Sequence, residues 1–233
     1  MPEKKIPAVF CKNLKQHYGE GTARVEALRG VNLEVPSGTL NLLMGPSGSG
    51  KTTLISVIAG ILTQESGECL INGTDINHLP DQQRTQYRAK NLGFVFQIFN
   101  LIPMLTNEEN ISIPLVISGT ERKTAIQKSK HIMQELGLGD KIGMYPAQLS
   151  GGQQQRIAIA RALAHEPSLV VCDEPTSFLD HVTGQHIMEL LRQMVDQRKV
   201  TVVVVTHDPR IVDFADKIDY VEDGSVIKTE YKK

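Results

Sequence analysis

The chain has 233 residues, 40% hydrophobic and 22% charged, an ordinary balance for a globular protein with a sizeable core. Its formal net charge is -1 and no lysine-rich or arginine-rich block stands out, which argues against a nucleic-acid surface. The longest apolar runs, such as "VTVVVVT", are too short to span a bilayer and "MPEKKIPAVF" has no signal-peptide core, so a cytoplasmic location is expected.

In chain order, "AVFCKNL" and "VNLEV" read as strands, with a turn at Pro36–Gly38. "TLNLLM" is an apolar run that meets Gly45. "TTLISVIAG" has helical spacing and stops at Gly60. "GECLING" reads as a strand ending in an Asn72-Gly73 turn. A polar helix, "DQQRTQYRAK", and a strand, "LGFVFQ", come next. "IFNLIPMLTNEENISIPLV" is apolar and is expected to break at Pro103 and Pro114. "ERKTAIQKSKHIMQELGLG" is a helix stopping at Gly137. Then "SLVVCDEP" reads as a buried strand, "HVTGQHIMELLRQMV" as an amphipathic helix, "VTVVVVTHD" as a second buried strand, and "IDYVEDGSVIK" as a hairpin turning at Asp-Gly. Continuous β-branched runs alternating with helices imply a parallel sheet covered on both faces. The expectation is a single α/β domain over residues 1–233, with an N-terminal antiparallel strand layer and a mostly helical subdomain inserted at about 98–163. Cys11, Cys69 and Cys172 are far apart in the sequence and form no CxxC, so neither a metal site nor a disulfide framework is expected. Cys172 reads as a small buried hydrophobe.

Chemistry concentrates in a few stretches. "GPSGSGKT" (Gly45, Pro46, Ser47, Gly48, Ser49, Gly50, Lys51, Thr52) fits GxxxxGK[ST] between an expected strand and an expected helix. Its backbone N–H groups and the helix N-terminus would cradle phosphates. Lys51 would reach the β- and γ-phosphates, Thr52 would hold Mg²⁺, and Thr53 is placed for a further phosphate contact. "LVVCDEP" ends an apolar strand in Asp173 and Glu174. Neighbouring strand residues point to opposite faces, so the two acids are expected to face apart and do different jobs. Asp173 would sit in the Mg²⁺ shell and Glu174 would activate the attacking water. His207 ends the Val-rich strand, which is expected beside the Asp173 strand, and would touch the γ-phosphate. Gln97 ends "LGFVFQ" and would contact Mg²⁺ or the attacking water, linking the nucleotide to the insertion. The plainer alternatives are a satisfied surface histidine and an ordinary strand-end glutamine.

"LSGGQQQR" is a second glycine-rich helix start, with Ser150 as its N-cap. Its plain alternative is a capped helix with an apolar inner face. One domain has no use for two γ-phosphate sites, whereas two copies packed head to tail would use both. Each nucleotide would then lie between one copy's phosphate loop and the other's Ser150–Gly152.

The ordered set "GPSGSGKT", Gln97, "LSGGQQQR", "LVVCDEP", "SFLD" and His207 resembles the nucleotide-binding domain of ATP-binding cassette (ABC) proteins. That resemblance implies a P-loop NTPase with a RecA-like parallel core, hydrolysing ATP with Mg²⁺. It also implies that Tyr18 stacks on adenine, that Ser150, Gly151, Gly152 and Gln153 close on the partner's ATP, and that Asp180 lies at the dimer face. More narrowly, "YGEGTARVEALRGVNLEV" and "GFVFQIFNLIPMLTNEENISIPL" are similar to the MacB, LolD, FtsE and DevA group. This implies transmembrane permease partners of the MacB, LolC, LolE or FtsX kind and a place on the inner face of the cell membrane. It also implies export or extraction of a lipoprotein, lipid, peptide or drug. Two alternatives are FtsE-like mechanotransmission without transport and a soluble ABC ATPase acting on ribosomes or DNA. Two departures stand out: "TSFLD" replaces the group's usual TGNLD, putting Phe178 near the expected dimer face, and Cys172 replaces a common alanine. "IFNLIPML" is either a docking surface or subdomain core.

Overall fold

A computed structural model describes residues 6–232 apart from 20, 22 and 23. Strands β1 (Val9–Tyr18), β2 (Val25–Val35) and β4 (Ser66–Ile71) form an antiparallel sheet in the order β2-β1-β4. A second sheet holds β3 (Leu40–Met44), β5 (Leu92–Val95), β6 (Leu169–Asp173), β7 (Thr201–Thr206), β8 (Lys217–Glu222) and β9 (Ser225–Tyr231). Its order is β5-β6-β7-β3-β8-β9, parallel except for β9. The Asp173 strand and the His207 strand are neighbours, with Asp173 opposite Val205. Asn72 and Gly73 take positive φ in the tight turn after β4, and Asp223 and Gly224 do the same between β8 and β9.

Every residue of β3 and β7 is buried, the mark of a sheet covered on both sides. Leu43, Val171, Val203 and Val205 face helix α1 (Lys51–Ile58) and the antiparallel sheet. Leu42, Val170, Val202 and Val204 face α5 (Gly151–Leu163) and α6 (His181–Arg198). Between β5 and β6 the chain forms α3 (Asn107–Ile117), α4 (Arg122–Glu135) and α5, which share a third core around Ile111, Leu115, Met133 and Ile157. Helix α5 therefore belongs to two cores, with Ile159 and Leu163 against the sheet and Ile157 and Ala160 against α3 and α4. Helix α2 (Asp81–Asn91) buries none of its residues.

Pro114 does not break the chain; α3 runs through it. A proline inside a helix leaves one carbonyl without its N–H partner. Here a Thr106–Glu109 capping box secures the start, Ile111 and Leu115 anchor the helix in the core, and only three residues follow the proline. The cysteines also hold a surprise. Cys11 and Cys69 stand opposite each other on β1 and β4 as free thiols, with sulfurs 3.7 Å apart. Strand pairing creates this proximity, which sequence spacing conceals. Among the described residues no helix is long and apolar enough to cross a membrane.

Candidate active site

Strands β5, β6, β7 and β3 are consecutive in the sheet, and all four end on the same side. Ligands of open parallel sheets bind beyond such carboxyl ends. A cavity of about 610 Å³ opens there, lined by Tyr18, Ala27, Pro46, Ser47, Gly48, Gly50, Lys51, Thr52, Thr53, Gln97, Asp173, Glu174 and His207. Gly48 and Gly50 hold φ of 80° and 95°, the left-handed region that glycine tolerates. A Cβ at Gly50 would collide with the Ala27 carbonyl. Gly50 also starts α1 without any side-chain cap, so the first N–H groups of that helix have no side-chain acceptor. Lys51 is buried, and its Nζ donates to the carbonyls of Gly45 (2.8 Å) and Pro46 (2.6 Å) and to Ser49 Oγ (3.3 Å). Burial lowers its pKa, and the nearby Glu174 and Asp173 carboxylates partly oppose that. Gly45 and Ser49 thus hold the lysine from outside the cavity wall.

Thr52 Oγ1 donates to Asp173 Oδ1 at 3.4 Å. Burial, and then repulsion from Glu174, push the Asp173 carboxyl above the usual aspartate range. The expectation that the two acids face apart fails. Strand β6 ends at Asp173, and Glu174 turns through a left-handed φ of 46°, with its N–H donating to Val205 O at 3.0 Å. Alternation applies only inside the strand, so this turn brings both carboxylates to one cavity. His207 Nδ1 lies 2.8 Å from Glu174 Oε1. Gln97 reaches the cavity from two residues past β5, and the Tyr18 hydroxyl lies 3.5 Å from Thr53 Oγ1. Ala27 is a wall residue that nothing in the sequence marks.

The second glycine-rich helix start stays apart. None of Ser150, Gly151, Gly152 and Gln153 lines this cavity. Ser150 Oγ accepts the Gln153 N–H (3.4 Å) while Gln153 Oε1 accepts the Ser150 N–H (3.0 Å), a reciprocal capping box. A Cβ at Gly152 would collide with the methyl of Thr183 on α6. Asp180 caps α6 by accepting from the Thr183 hydroxyl (2.6 Å) and N–H (3.0 Å), which holds its carboxyl below the usual range. Phe178, two residues before it, is 61% exposed. Of the segment "IFNLIPML", Ile98, Ile102 and Met104 are exposed while Leu101 packs on the subdomain core.

A larger cavity of about 730 Å³ lies at the opposite ends of the strands. Two of its cations, Lys90 and Arg198, sit in the last turns of α2 and α6, where positive charge offsets the helix dipoles.

The family model of the ABC transporter matches residues 28–177. The chain belongs to the ABC transporter family. It is an ABC ATPase and binds ATP. An uncharacterized ABC transporter ATP-binding protein of Thermotoga maritima is 43% identical over 209 residues, covering 90% of this chain and 89% of its own length. The macrolide export ATP-binding/permease protein MacB of Escherichia coli K12 is 38% identical over 95% of this chain, which spans only 34% of MacB. Among solved structures, the dimeric bacterial ABC transporter cassette MJ0796 superposes with a TM-score of 0.90 at 39% identity, covering 97% of this chain and 99% of that one. The same cassette in a post-hydrolysis dimer with ADP and Pi gives 0.89.

Proposed function

We propose that this ABC ATPase hydrolyses ATP with Mg²⁺ as a head-to-tail homodimer on the inner face of the cell membrane and drives a permease of the MacB or LolD type. The whole chain would act as one cassette, with residues of about 98–163 carrying motion to the permease. The observation that carries the chemistry is the meeting of Lys51, Thr52, Asp173, Glu174 and His207 in one cavity. On binding ATP, Lys51 exchanges its loop carbonyls for phosphate oxygens, while the uncapped α1 N-terminus offers its N–H groups to the same phosphates. Glu174 accepts the proton of the attacking water. With His207 Nδ1 turned to Glu174, its Nε2 is left for the γ-phosphate.

Two hard oxygen donors, Thr52 Oγ1 and Asp173 Oδ1, stand 3.4 Å apart at this cavity beside surplus negative charge, which fits Mg²⁺. Among the described residues no group of three His, Cys, Asp or Glu could hold a metal alone, in keeping with an ion that takes one or two protein oxygens plus substrate phosphates. Thr52, Asp173 and Gln97 would hold it, and when bound it supplies charge neutralisation to the phosphates.

The separation of Ser150–Gln153 from the cavity supports the dimer: their anion-binding capacity is left for a second copy's nucleotide. The exposed Ile98, Ile102 and Met104 beside Gln97 are the surface offered to the permease. The decisive test is Glu174→Gln, expected to retain ATP and dimerise while hydrolysis falls about a hundredfold or more. A normal rate would refute the role of Glu174. Affinity capture from detergent-solubilised host membranes tests the partner. A four-helix protein with a large extracytoplasmic domain supports a MacB or LolD type, and a many-helix permease overturns that subgroup.

A further inference from the structure

Helix α5 carries one residue that its apolar face does not explain. Gln155 is fully buried in a helix whose other inward positions are Ile, Ala and Leu. Its Nε2 donates to the Pro175 carbonyl at 2.9 Å, and its Oε1 finds no partner among the described residues. Burying an amide with an orphan acceptor is a burden that leucine or methionine would avoid, so packing alone does not account for glutamine here.

The target of the donor is informative. Pro175 directly follows Glu174, whose own N–H is held by Val205 on β7 and whose carboxylate meets His207. Ser177 closes the turn by donating its N–H (3.2 Å) and Oγ (3.0 Å) to the Glu174 carbonyl. These ties come from the α/β core and from the turn itself. Gln155 reaches the same turn from α5, the helix that begins at Ser150. Further along α5, Arg161 donates to the carbonyls of Phe99 (3.0 Å) and Asn100 (2.6 Å), just beyond Gln97. One rigid helix thus grips the backbone beside both Glu174 and Gln97.

We propose that Gln155 is a positioning residue for Glu174: by fixing the peptide after the carboxylate, it makes the placement of Glu174 follow the placement of α5 and of Ser150 at its start. This rests on Glu174 as the group that activates water. The test uses the purified chain with ATP and Mg²⁺, and two variants that keep volume but remove the donor. These are Gln155→Leu and Gln155→Met, the second covering any misfolding of the first. In either, kcat should fall about tenfold to a hundredfold, as for a catalytic group displaced by a fraction of an ångström to an ångström. KM should stay within about twofold and the unfolding midpoint should hold or rise. In a Glu174→Gln background the same change should produce no further loss, because two residues acting through one group are not additive. Wild-type kcat, a loss carried by KM, or an equal loss in the Glu174→Gln background would overturn the inference. If Glu174→Gln alone hydrolyses normally, the role of Glu174 falls and the inference with it. If Glu174→Gln is inactive and Gln155→Leu is normal, only the positioning role falls.

Discussion

The two glycine-rich helix starts of this chain look alike as sequence and differ as structure. At Gly50 the helix opens uncapped into a cavity, with a buried lysine folded onto its own loop. At Ser150 the helix is closed by a reciprocal capping box and lines no part of that cavity. The first start is incomplete without an anion, because its N–H groups and its cation have only makeshift partners. The second is complete alone, its backbone satisfied by its own Ser150 and Gln153 side chains. Ser150 Oγ accepts the Gln153 N–H and keeps its own O–H, which can donate to a phosphate without breaking the cap. Two helix starts can therefore share a motif style while differing in what satisfies the backbone.

Removing the cation should break the contrast most. Lys51→Ala strips charge-assisted hydrogen bonds together worth about 3 kcal/mol, so ATP affinity should drop about a hundredfold. Isothermal titration would show it, and unchanged binding would undo the phosphate-loop assignment. Ser150→Arg should leave ATP binding by the monomer unaltered yet cut hydrolysis about a hundredfold. Surviving activity would mean the second start does not serve a neighbour's nucleotide. Ser150→Ala should lower stability by about 1 kcal/mol through the lost cap, read from urea unfolding, whereas no side-chain cap exists to be lost at Gly50. The smallest effect concerns Asp173. Its raised pKa means that the folded chain binds this proton more tightly than the unfolded chain, so stability falls as pH rises from the ordinary aspartate range through the raised value. Asp173→Asn should therefore be slightly more stable than wild type at neutral pH, by about 1 kcal/mol or less, with the gap closing on acidification. Thermal melts across pH measure it.

Much of this was legible beforehand because the signals were local. The buried strands announced themselves by β-branched runs, and the phosphate loop by spacing between a strand and a helix. What escaped depends on where the chain stops being regular. Glu174 leaves the strand by one residue, and that one turn reverses the face on which its carboxylate lies. Pro114 reads as a break, yet packing of Ile111 and Leu115 outweighs one missing hydrogen bond. Ala27 lines the cavity with its carbonyl close against Gly50, a tertiary contact that no sequence pattern reveals. Gln155 escaped as well, because its partner at Pro175 is a tertiary fact.

The three thiols are buried, and burial pushes the Cys172 thiol well above its ordinary range, while contact with Cys69 and burial do the same to Cys11. Thiolate is the reactive form, so labelling reagents reach these sulfurs chiefly when the structure opens. Cys172 sits next to Asp173 on β6, whereas Cys11 and Cys69 report on the antiparallel sheet. The chain thus carries two native clocks for local opening, and nucleotide should slow the one at Cys172 more than the pair at Cys11 and Cys69.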